Sequence, residues 1–423
     1  MIVHGTLLTA FTDNSELLLG GVPMSFAEMV KEHRSKKKMT LSELAEKTGI
    51  NKSVLSRIES GAIKRPEFSK CQKISSVLHI PHESLISFYL DISERADIIK
   101  RLLKEAIACS DRYLVRKAAN KLLEAPKMNE FLALDHLLQA ANASDAEEIK
   151  LTLYDVMIAH TKKRGIPFYL AKALFERYLI ERYDFYRMEE SYRRGKELLV
   201  YMEYLQPADR IEAYYRLGLQ AYALKYFDEC ISLCKEAVEK DSSVNELQSS
   251  ALLAITNAYI NVGDCILAEL YLKRYEKHPY SQANRARYLR AQLYVKNSEF
   301  DKAIAELKAC LADSAHEGRI AIAVDLMEVY LQTGDSYGVN ELVKQESQFM
   351  PKVLNTPKKL EHVALYYKLK GMHELVGKQI DEGLESLTKS ISYYQLLGAH
   401  MEIHECSGIV QGFLLGSHSF YKK

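Results

Sequence analysis

The sequence predicts an all-α protein in which an N-terminal five-helix bundle, with a helix-turn-helix at its centre, precedes a repeat-built α-solenoid. Two observations lead to this fold class. Residues 40–61, TLSELAEKTGINKSVLSRIESG, hold two short amphipathic patterns on either side of a turn signal. From about residue 91 onward we find no strand-like alternation of useful length, and helical patterns recur in pairs between short polar breaks.

The composition is that of a folded, multidomain protein. A chain of 423 residues is too long for one ordinary core, so two or three domains are expected. Apolar residues make up 48% and charged residues 27%, and no apolar run approaches the length that spans a bilayer. Residues 1–23 begin without a basic region and carry Asp13 and Glu16. We interpret them as an extension, or as a stretch before a true start at Met24, rather than as a secretory signal.

Seven cysteines are scattered along the chain, and no CxxC pair occurs among them. An odd number of isolated cysteines in a chain of this size is typical of buried thiols in a reducing compartment. We therefore expect a cytoplasmic protein.

Capping signals predict two helices within residues 40–61. Thr40 is a typical N-cap residue, and Glu43 three positions later completes a capping box. Gly49 supplies the left-handed residue that ends this helix, and a second helix begins near Asn51. One helix before this pair and two after it complete a bundle over residues 24–90, with predicted ranges 26–38, 68–78 and 81–90.

The bundle is also the cationic part of the chain. Residues 24–90 contain 12 Lys and Arg against 7 Asp and Glu, a local net charge of +5, whereas the whole chain carries only +1. A cationic module on a near-neutral protein is the electrostatic pattern of phosphate binding. The alternative interpretation is a degenerate helix-turn-helix that is kept as a protein-binding bundle.

The residues of this bundle resemble the Cro/C1-type (XRE) helix-turn-helix family. The matching positions are Thr40, Glu43, Leu44, Ala45, Gly49, Ile50, Ser53, Leu55, Ser56, Arg57, Ile58, Glu59 and Gly61. The resemblance implies that the second helix of the pair enters the major groove of DNA. The DNA-binding residues implied by position are Thr40, Asn51, Lys52, Ser53, Ser56 and Arg57. Leu41 departs from the family, which often has Gln at that position.

Four windows in the second half of the chain repeat one pattern. Aligned on Gly218, Thr256, Ala291 and Met327, they are spaced by 38, 35 and 36 residues. The pattern resembles tetratricopeptide repeats, which are helix–turn–helix units of about 34 residues that stack into a right-handed solenoid with a concave groove. The predicted organisation is an irregular helical linker at 91–204 and a repeat domain at 205–423, with a further helix pair at 358–397 and a capping helix at 400–416.

The first helix of each repeat is expected to face the groove. In this register Asn257, Gln292 and Glu328 follow the anchor residues, and Tyr215 and Tyr288 precede them by one turn. An amide can hydrogen-bond a peptide backbone, and a tyrosine offers an apolar wall with a polar tip. Arg285 could pair with a carboxylate. These six residues are the expected peptide contacts, although each Tyr could equally be a core residue.

The sequence offers no catalytic or cofactor motif in its required context. The phosphate-loop pattern GxxxxGK(S/T) and the dinucleotide fingerprint GxGxxG do not occur. The pattern GxSxG occurs once, as GDSYG at 334–338, but it lies at the Gly-Asp turn of a repeat and not after a strand, as a nucleophile elbow requires. His400 and His404 are four residues apart, but Met401 stands where a zinc-binding HExxH motif requires Glu. We expect no cofactor, no metal site and no enzymatic activity.

Together the two halves are similar in architecture to the Rap–Rgg–NprR–PlcR–PrgX group of bacterial peptide-pheromone receptors. The resemblance implies that a short, re-imported signalling peptide binds in the groove and controls DNA binding, as in quorum sensing. It also implies a homodimer on a palindromic operator, since one helix-turn-helix reads few base pairs alone. Such a ligand acts only by binding one arrangement of the protein better than another.

Two other functions stay open on the sequence alone. The solenoid could bind or sequester a protein partner such as a response regulator, and a phosphatase activity of the Rap kind would need a glutamine, for which Gln139 is the candidate. The chain could also be a helical scaffold with a vestigial DNA module.

Overall fold

The structure is a computed structural model that describes residues 18–19, 22–184, 187–354 and 356–414. The chain divides into two compact units, Met1–Gln206 and Pro207–Lys423. Most of the expected extension at 1–23 lies outside the described residues. Its described part pairs β1 (Leu18–Leu19) with β2 (Val22–Pro23) in a short antiparallel ladder. The other regular elements of the described residues are helices, so the all-α prediction is confirmed.

The first unit begins with the predicted five-helix bundle. Its helices are α1 (Phe26–Lys36), α2 (Leu41–Thr48), α3 (Lys52–Glu59), α4 (Phe68–Leu78) and α5 (His82–Ile92). Phe26, Met29 and Val30 follow the spacing of one helix face and are buried, so α1 contributes an apolar stripe to the bundle core. Leu44 from α2 and Leu55 from α3 are buried as well.

The rest of the first unit is helical. It comprises α6 (Ala96–Ala108), α7 (Arg112–Leu123), α8 (Glu130–Ala143), α9 (Glu147–Arg164), α10 (Pro167–Glu181), α11 (Met188–Gly195) and a 3-10 helix, Lys196–Tyr204. Helices α6 and α7 both contact α5. Lys117 on α7 lies 2.8 Å from the Asp91 carboxylate of α5, which ties this segment to the bundle.

The second unit is a series of helix pairs. They are α12 (Pro207–Ala223) with α13 (Phe227–Lys240), α14 (Glu246–Val262) with α15 (Cys265–Glu276), α16 (Ala283–Lys296) with α17 (Phe300–Asp313), α18 (Arg319–Thr333) with α19 (Ser336–Lys344), and α21 (Pro357–Val376) with α22 (Ile380–Leu397). The short α20 (Glu346–Phe349) precedes the last pair, and α23 (His400–Leu414) follows it. Each pair packs on the next, and first helices also contact first helices, as in α12 with α14 and α14 with α16. This confirms the solenoid prediction.

The anchor residues of the repeats lie where the two helices of a pair approach each other. Thr256, Ala291 and Met327 are fully buried. At Gly218, a Cβ atom would lie 2.4 Å from Cys234 Sγ, so only glycine fits there without a shift of α13. Gly371 on α21 has the same role in the last pair, since a Cβ there would lie 2.9 Å from the Gly383 carbonyl oxygen.

Within the described residues, no helix combines the length and the apolar character that crossing a bilayer requires.

Candidate nucleic-acid interface and repeat groove

The turn between α2 and α3 is built by the capping residues that the sequence predicts. The Thr40 hydroxyl accepts a hydrogen bond from the Glu43 amide at 3.2 Å, and Glu43 Oε2 accepts one from the Thr40 amide at 2.7 Å. Gly49 has a φ of +67°, and its amide donates to the Ala45 carbonyl oxygen, which closes α2. The chain can therefore turn into α3 within three residues.

Helix α3 has one buried and one exposed face. Leu55 and Ile58 pack into the bundle core. The Asn51 side chain caps the helix, because its Oδ1 accepts a hydrogen bond from the Ser53 amide at 2.9 Å. The five residues expected to contact DNA at this helix are exposed on one stretch, namely Asn51, Lys52, Ser53, Ser56 and Arg57.

The cations of this face differ from Lys36 and Lys37 at the end of α1. Among the described residues, Lys52 and Arg57 have no ion-pair partner within 4 Å. Lys36, by contrast, lies 2.6 Å from Glu32, and the Lys37 ammonium donates to the Val77 carbonyl oxygen at 2.7 Å. The charge on α3 is thus available to an external anion.

Thr40, the sixth expected DNA contact, is exposed, but its hydroxyl is engaged. Besides accepting from the Glu43 amide, it donates to Glu43 Oε2 at 2.8 Å. A contact between Thr40 and DNA stays a prediction, and such a contact would compete with the cap of α2.

An ion pair that the sequence patterns do not reveal fixes α3 against α1. The Arg34 guanidinium donates through Nε and Nη2 to the two carboxylate oxygens of Glu59, at 2.8 and 2.5 Å. Its Nη1 also donates to the Met39 carbonyl oxygen at 2.7 Å. The two residues are 25 positions apart, so no local spacing rule connects them. The pair joins the end of α3 to α1 and to the residue before the cap of α2.

A groove of about 1530 Å³ runs along the first helices of the last repeats. Its lining includes Ile260 and Asn261 from α14, Gln292, Val295 and Lys296 from α16, Asp325, Glu328 and Val329 from α18, and Leu369, Met372 and Val376 from α21. The groove-lining positions that recur from helix to helix can be counted from the anchors Ala291, Met327 and Gly371. They lie two residues before the anchor, one residue after it, and four or five residues after it. These positions lie on one helix face, so stacking of the repeats brings them together.

Three of the six expected peptide contacts lie together at this groove. Gln292 and Glu328 line it directly. Tyr288, one turn before Gln292, is half-buried, and its hydroxyl donates to Asp325 Oδ2 at 2.6 Å.

The other three expected contacts lie elsewhere. Tyr215 is only 1% exposed and donates to Asp241 within its own repeat at 2.9 Å, so the expectation that it contacts a peptide is wrong for this conformation. Its position, three residues before the anchor, faces the interior in α12. Arg285 is exposed near the start of α16, away from the groove lining. Asn257 is half-buried one turn before Asn261, whose side chain does line the groove.

Asp325 is the groove residue that the sequence analysis missed. It accepts hydrogen bonds from the Tyr288 hydroxyl and, at 3.3 Å, from Gln292 Nε2. Burial raises the pKa of the Asp325 carboxyl above its ordinary value. Glu328 is exposed to solvent on one side, but partial desolvation by the groove raises the pKa of its carboxyl, and the neighbouring charge of Asp325 raises it further. A signal was present in the sequence, since Asp325 precedes Glu328 by three residues and therefore shares its helix face.

Metal-binding and thiol groups are dispersed. Within the described ranges, no group of three or more His, Cys, Asp or Glu side chains is arranged to hold a metal ion. All seven cysteines are free, and five of them are buried. His400 and His404 are both exposed on α23.

Comparison with known proteins identifies the N-terminal segment. Residues 30–85 match the HTH_3 family model, which describes a helix-turn-helix. The HTH-type transcriptional regulator SinR of Bacillus subtilis (strain 168) is 39% identical over 59 residues, which are 14% of this chain and 53% of SinR. The HTH-type transcriptional repressor RghR of the same organism is 34% identical over 62 residues, which are 15% of this chain and 46% of RghR. The chain thus spans about half the length of the curated relatives it matches.

Solved structures resemble the chain over a longer range but less closely. A Rap protein complexed with competence and sporulation factor aligns with a TM-score of 0.38 and 11% identity, covering 77% of this chain and 99% of that one. PlcR of Bacillus thuringiensis, in complex with the peptide PapR7 and DNA, aligns with a TM-score of 0.28 and 14% identity, covering 90% and 98%. Likenesses of this degree assign no ligand to this chain. The match that carries weight is the local one: residues 30–85 form an XRE-type helix-turn-helix domain of the HTH_3 family.

Proposed function

We propose that the protein is a sequence-specific DNA-binding transcriptional regulator. The observation that supports this most directly is the exposed face of α3, where Lys52 and Arg57 have no ion-pair partner among the described residues and Ser53 and Ser56 lie between them. Helices of this kind place such side chains against base edges and phosphates in the major groove. Because one reader helix contacts few base pairs, the proposal includes a homodimer on a palindromic operator. It also includes a cytoplasmic location, where bacterial DNA is accessible.

The groove of the second unit supports the second half of the proposal, namely that a short signalling peptide binds there and controls DNA binding. The groove is large enough for several residues of extended chain, and it combines apolar walls with the amide of Gln292 and the carboxylate of Glu328. A peptide that binds one arrangement of the helix pairs better than another shifts the population of DNA-competent molecules. This proposed mechanism uses no cofactor, and the biological process that we propose for it is quorum sensing.

The DNA half is tested by selection from a pool of random double-stranded DNA with the full chain. We expect enrichment of a palindromic sequence whose half-sites are centred about 10 base pairs apart or a multiple of that distance. The variant Lys52→Ala/Arg57→Ala should fail to enrich it. The control Lys127→Ala, which removes an exposed cation outside the bundle, should behave like the wild type. If both variants enriched the palindromic sequence equally, α3 would not be the helix that recognises the DNA.

The ligand half has a competing hypothesis, in which the solenoid binds a protein such as a response regulator. Mass spectrometry of the protein purified from its native host, intact and after denaturation, separates the two. A short peptide released in stoichiometric amount supports the peptide receptor. A stoichiometric protein partner with no released peptide would support the sequestering regulator instead.

A further inference from the structure

The groove of the second unit carries carboxylates that no cation of the protein contacts. Asp325 and Glu328 lie three residues apart on α18 and both line the groove. Among the described residues, no Lys, Arg or His nitrogen lies within 4 Å of either carboxylate. Asp325 is half-buried and Glu328 is exposed to the groove, so two neighbouring carboxylates face it without a counter-ion from the protein. The charge of Asp325 disfavours ionisation of Glu328.

The nearest cationic side chains are occupied elsewhere. The Lys368 ammonium lies 2.5 Å from Glu405, and that of Lys358 lies 3.0 Å from Glu361. The remaining neighbour, His362, donates through Nδ1 to the Lys358 carbonyl oxygen at 2.8 Å, and burial lowers the pKa of this histidine, which keeps it neutral near pH 7.

Two further groups line the groove at its edge. Lys296 is exposed at the end of α16, and His373 is hydrogen-bonded to Asn340 at 3.1 Å, with its pKa lowered by burial. Neither contacts Asp325 or Glu328, as far as the described residues show.

Neutral donors hold Asp325 in place without cancelling its charge. The Tyr288 hydroxyl and the Gln292 amide, both from α16, donate to the same oxygen, Oδ2, at 2.6 and 3.3 Å. The second oxygen and the whole Glu328 carboxylate have no hydrogen-bond donor among the described residues. Neutral donors therefore orient the Asp325 carboxylate, and among the described residues no cation neutralises it or Glu328.

Apolar side chains from three helices line the same groove as the two carboxylates. Val295 of α16, Val329 of α18 and Leu369 of α21 line the same groove. A hydrated metal ion would gain nothing from these walls, whereas an organic cation on an apolar chain would bury surface against them. The volume of about 1530 Å³ also exceeds what a single ion requires.

We infer that the groove selects peptides that present a cationic nitrogen, which docks against Asp325 and Glu328 while neighbouring apolar side chains of the peptide fill the groove on either side. This inference rests on the proposed peptide-receptor function and names the chemical class of its ligand. The nitrogen belongs either to a Lys or Arg side chain or to the free amino terminus of the peptide, and both sources present the same chemistry.

Affinity selection with synthetic heptapeptide pools tests the inference on the full chain. Every pool is randomised over small and apolar residues. One pair of pools carries a fixed Arg and a second pair carries Gln in its place, and each is prepared with a free and with an acetylated amino terminus. We expect the pools with Arg or a free terminus to be retained about tenfold or more above the acetylated Gln pool. Acetylation then distinguishes the terminal ammonium from the side chain.

Glu328→Gln should abolish this preference, whereas the control Glu239→Gln, at an exposed position of α13 outside the groove lining, should preserve it. Circular dichroism checks that both variants are folded. Retention of the acetylated Gln pool to the same extent as the Arg pool, or an unchanged preference in Glu328→Gln, would overturn the inference but leave peptide binding intact. Retention of no pool at all would overturn peptide binding as well.

Discussion

At the residue scale, the position of the reader helix depends on the environment of Glu59. Its side chain is only 10% exposed, and that of Arg34 is 20% exposed. Replacing Arg34 by Met leaves a mostly buried carboxylate without a counter-ion, which should destabilise the bundle by about 2 kcal/mol. Amide hydrogen exchange of α1 and α3, followed by mass spectrometry, measures this loss.

The double variant Arg34→Met/Glu59→Leu is the control for this pair. Because it removes both charges and leaves apolar side chains in their place, it should recover much of the lost protection. If the double variant were as unprotected as Arg34→Met alone, the uncompensated carboxylate would not be the cause.

The repeat anchors allow a second test by single substitutions. Gly218→Ala should destabilise the second unit by about 1–3 kcal/mol, because the new methyl group would meet Cys234 Sγ at 2.4 Å. The matched control is Gly408→Ala on α23, where no atom lies within 4 Å of the added Cβ. That change should raise stability slightly, since alanine favours helix over glycine by up to about 1 kcal/mol. Thermal unfolding followed by circular dichroism compares the two, and equal effects would contradict the close packing at Gly218.

The residue scale is also where prediction from the sequence reached its limit. The repeat spacing placed Gln292 and Glu328 correctly on the groove face, because both follow an anchor by one position. The same register placed Tyr215 on that face, yet it is a core residue. The third position before an anchor lies at the border between core and groove, so small rotations of each helix decide its exposure. On α18 the groove is lined instead by Asp325, which lies two residues before the anchor Met327.

At the scale of elements, local chemistry predicted the helices well. Helix α4 has the predicted range 68–78, and α5 begins one residue after Pro81, which stands at its N-cap. Capping residues and left-handed glycines fix helix ends through contacts within one turn, so the ends of these helices can be predicted from a single sequence. The 3-10 helix at Lys196–Tyr204 and the short α20 carry no such local signal, because packing against neighbouring helices determines them.

The cap of α2 gives a test at this scale. Thr40→Ala removes the hydroxyl that accepts from the Glu43 amide and should cost about 1 kcal/mol, seen as faster hydrogen exchange in the first turn of α2. Thr40→Ser keeps the hydroxyl and should exchange like the wild type. Faster exchange in both variants would point to the lost methyl group rather than to the cap.

At the scale of the whole second unit, the groove carboxylates should lower stability when no ligand is bound. The pKa of Glu328 is raised above the ordinary 4.5 by partial desolvation in the groove and by Asp325, so the folded unit holds this proton more tightly than the unfolded chain. The resulting stabilisation is present at acidic pH and is lost as the pH rises through the raised value. Glu328→Gln should therefore be more stable than the wild type at pH 7 and lose this advantage below the ordinary pKa.

Thermal unfolding of wild type and Glu328→Gln across this pH range measures the difference. A groove residue that lowers stability at neutral pH is typical of a site kept for binding. An advantage for Glu328→Gln that is the same at every pH would contradict the ionisation argument.

The central claim for the whole molecule is that α3 binds DNA through Lys52 and Arg57. The most direct measurement is the affinity of the full chain for its selected duplex over a series of salt concentrations, for the wild type, Lys52→Ala/Arg57→Ala and Lys127→Ala. Loss of these two cations should weaken binding and reduce the slope of log affinity against log salt by up to about 2, while Lys127→Ala leaves both unchanged. An unchanged affinity and slope in the double variant would contradict the claim.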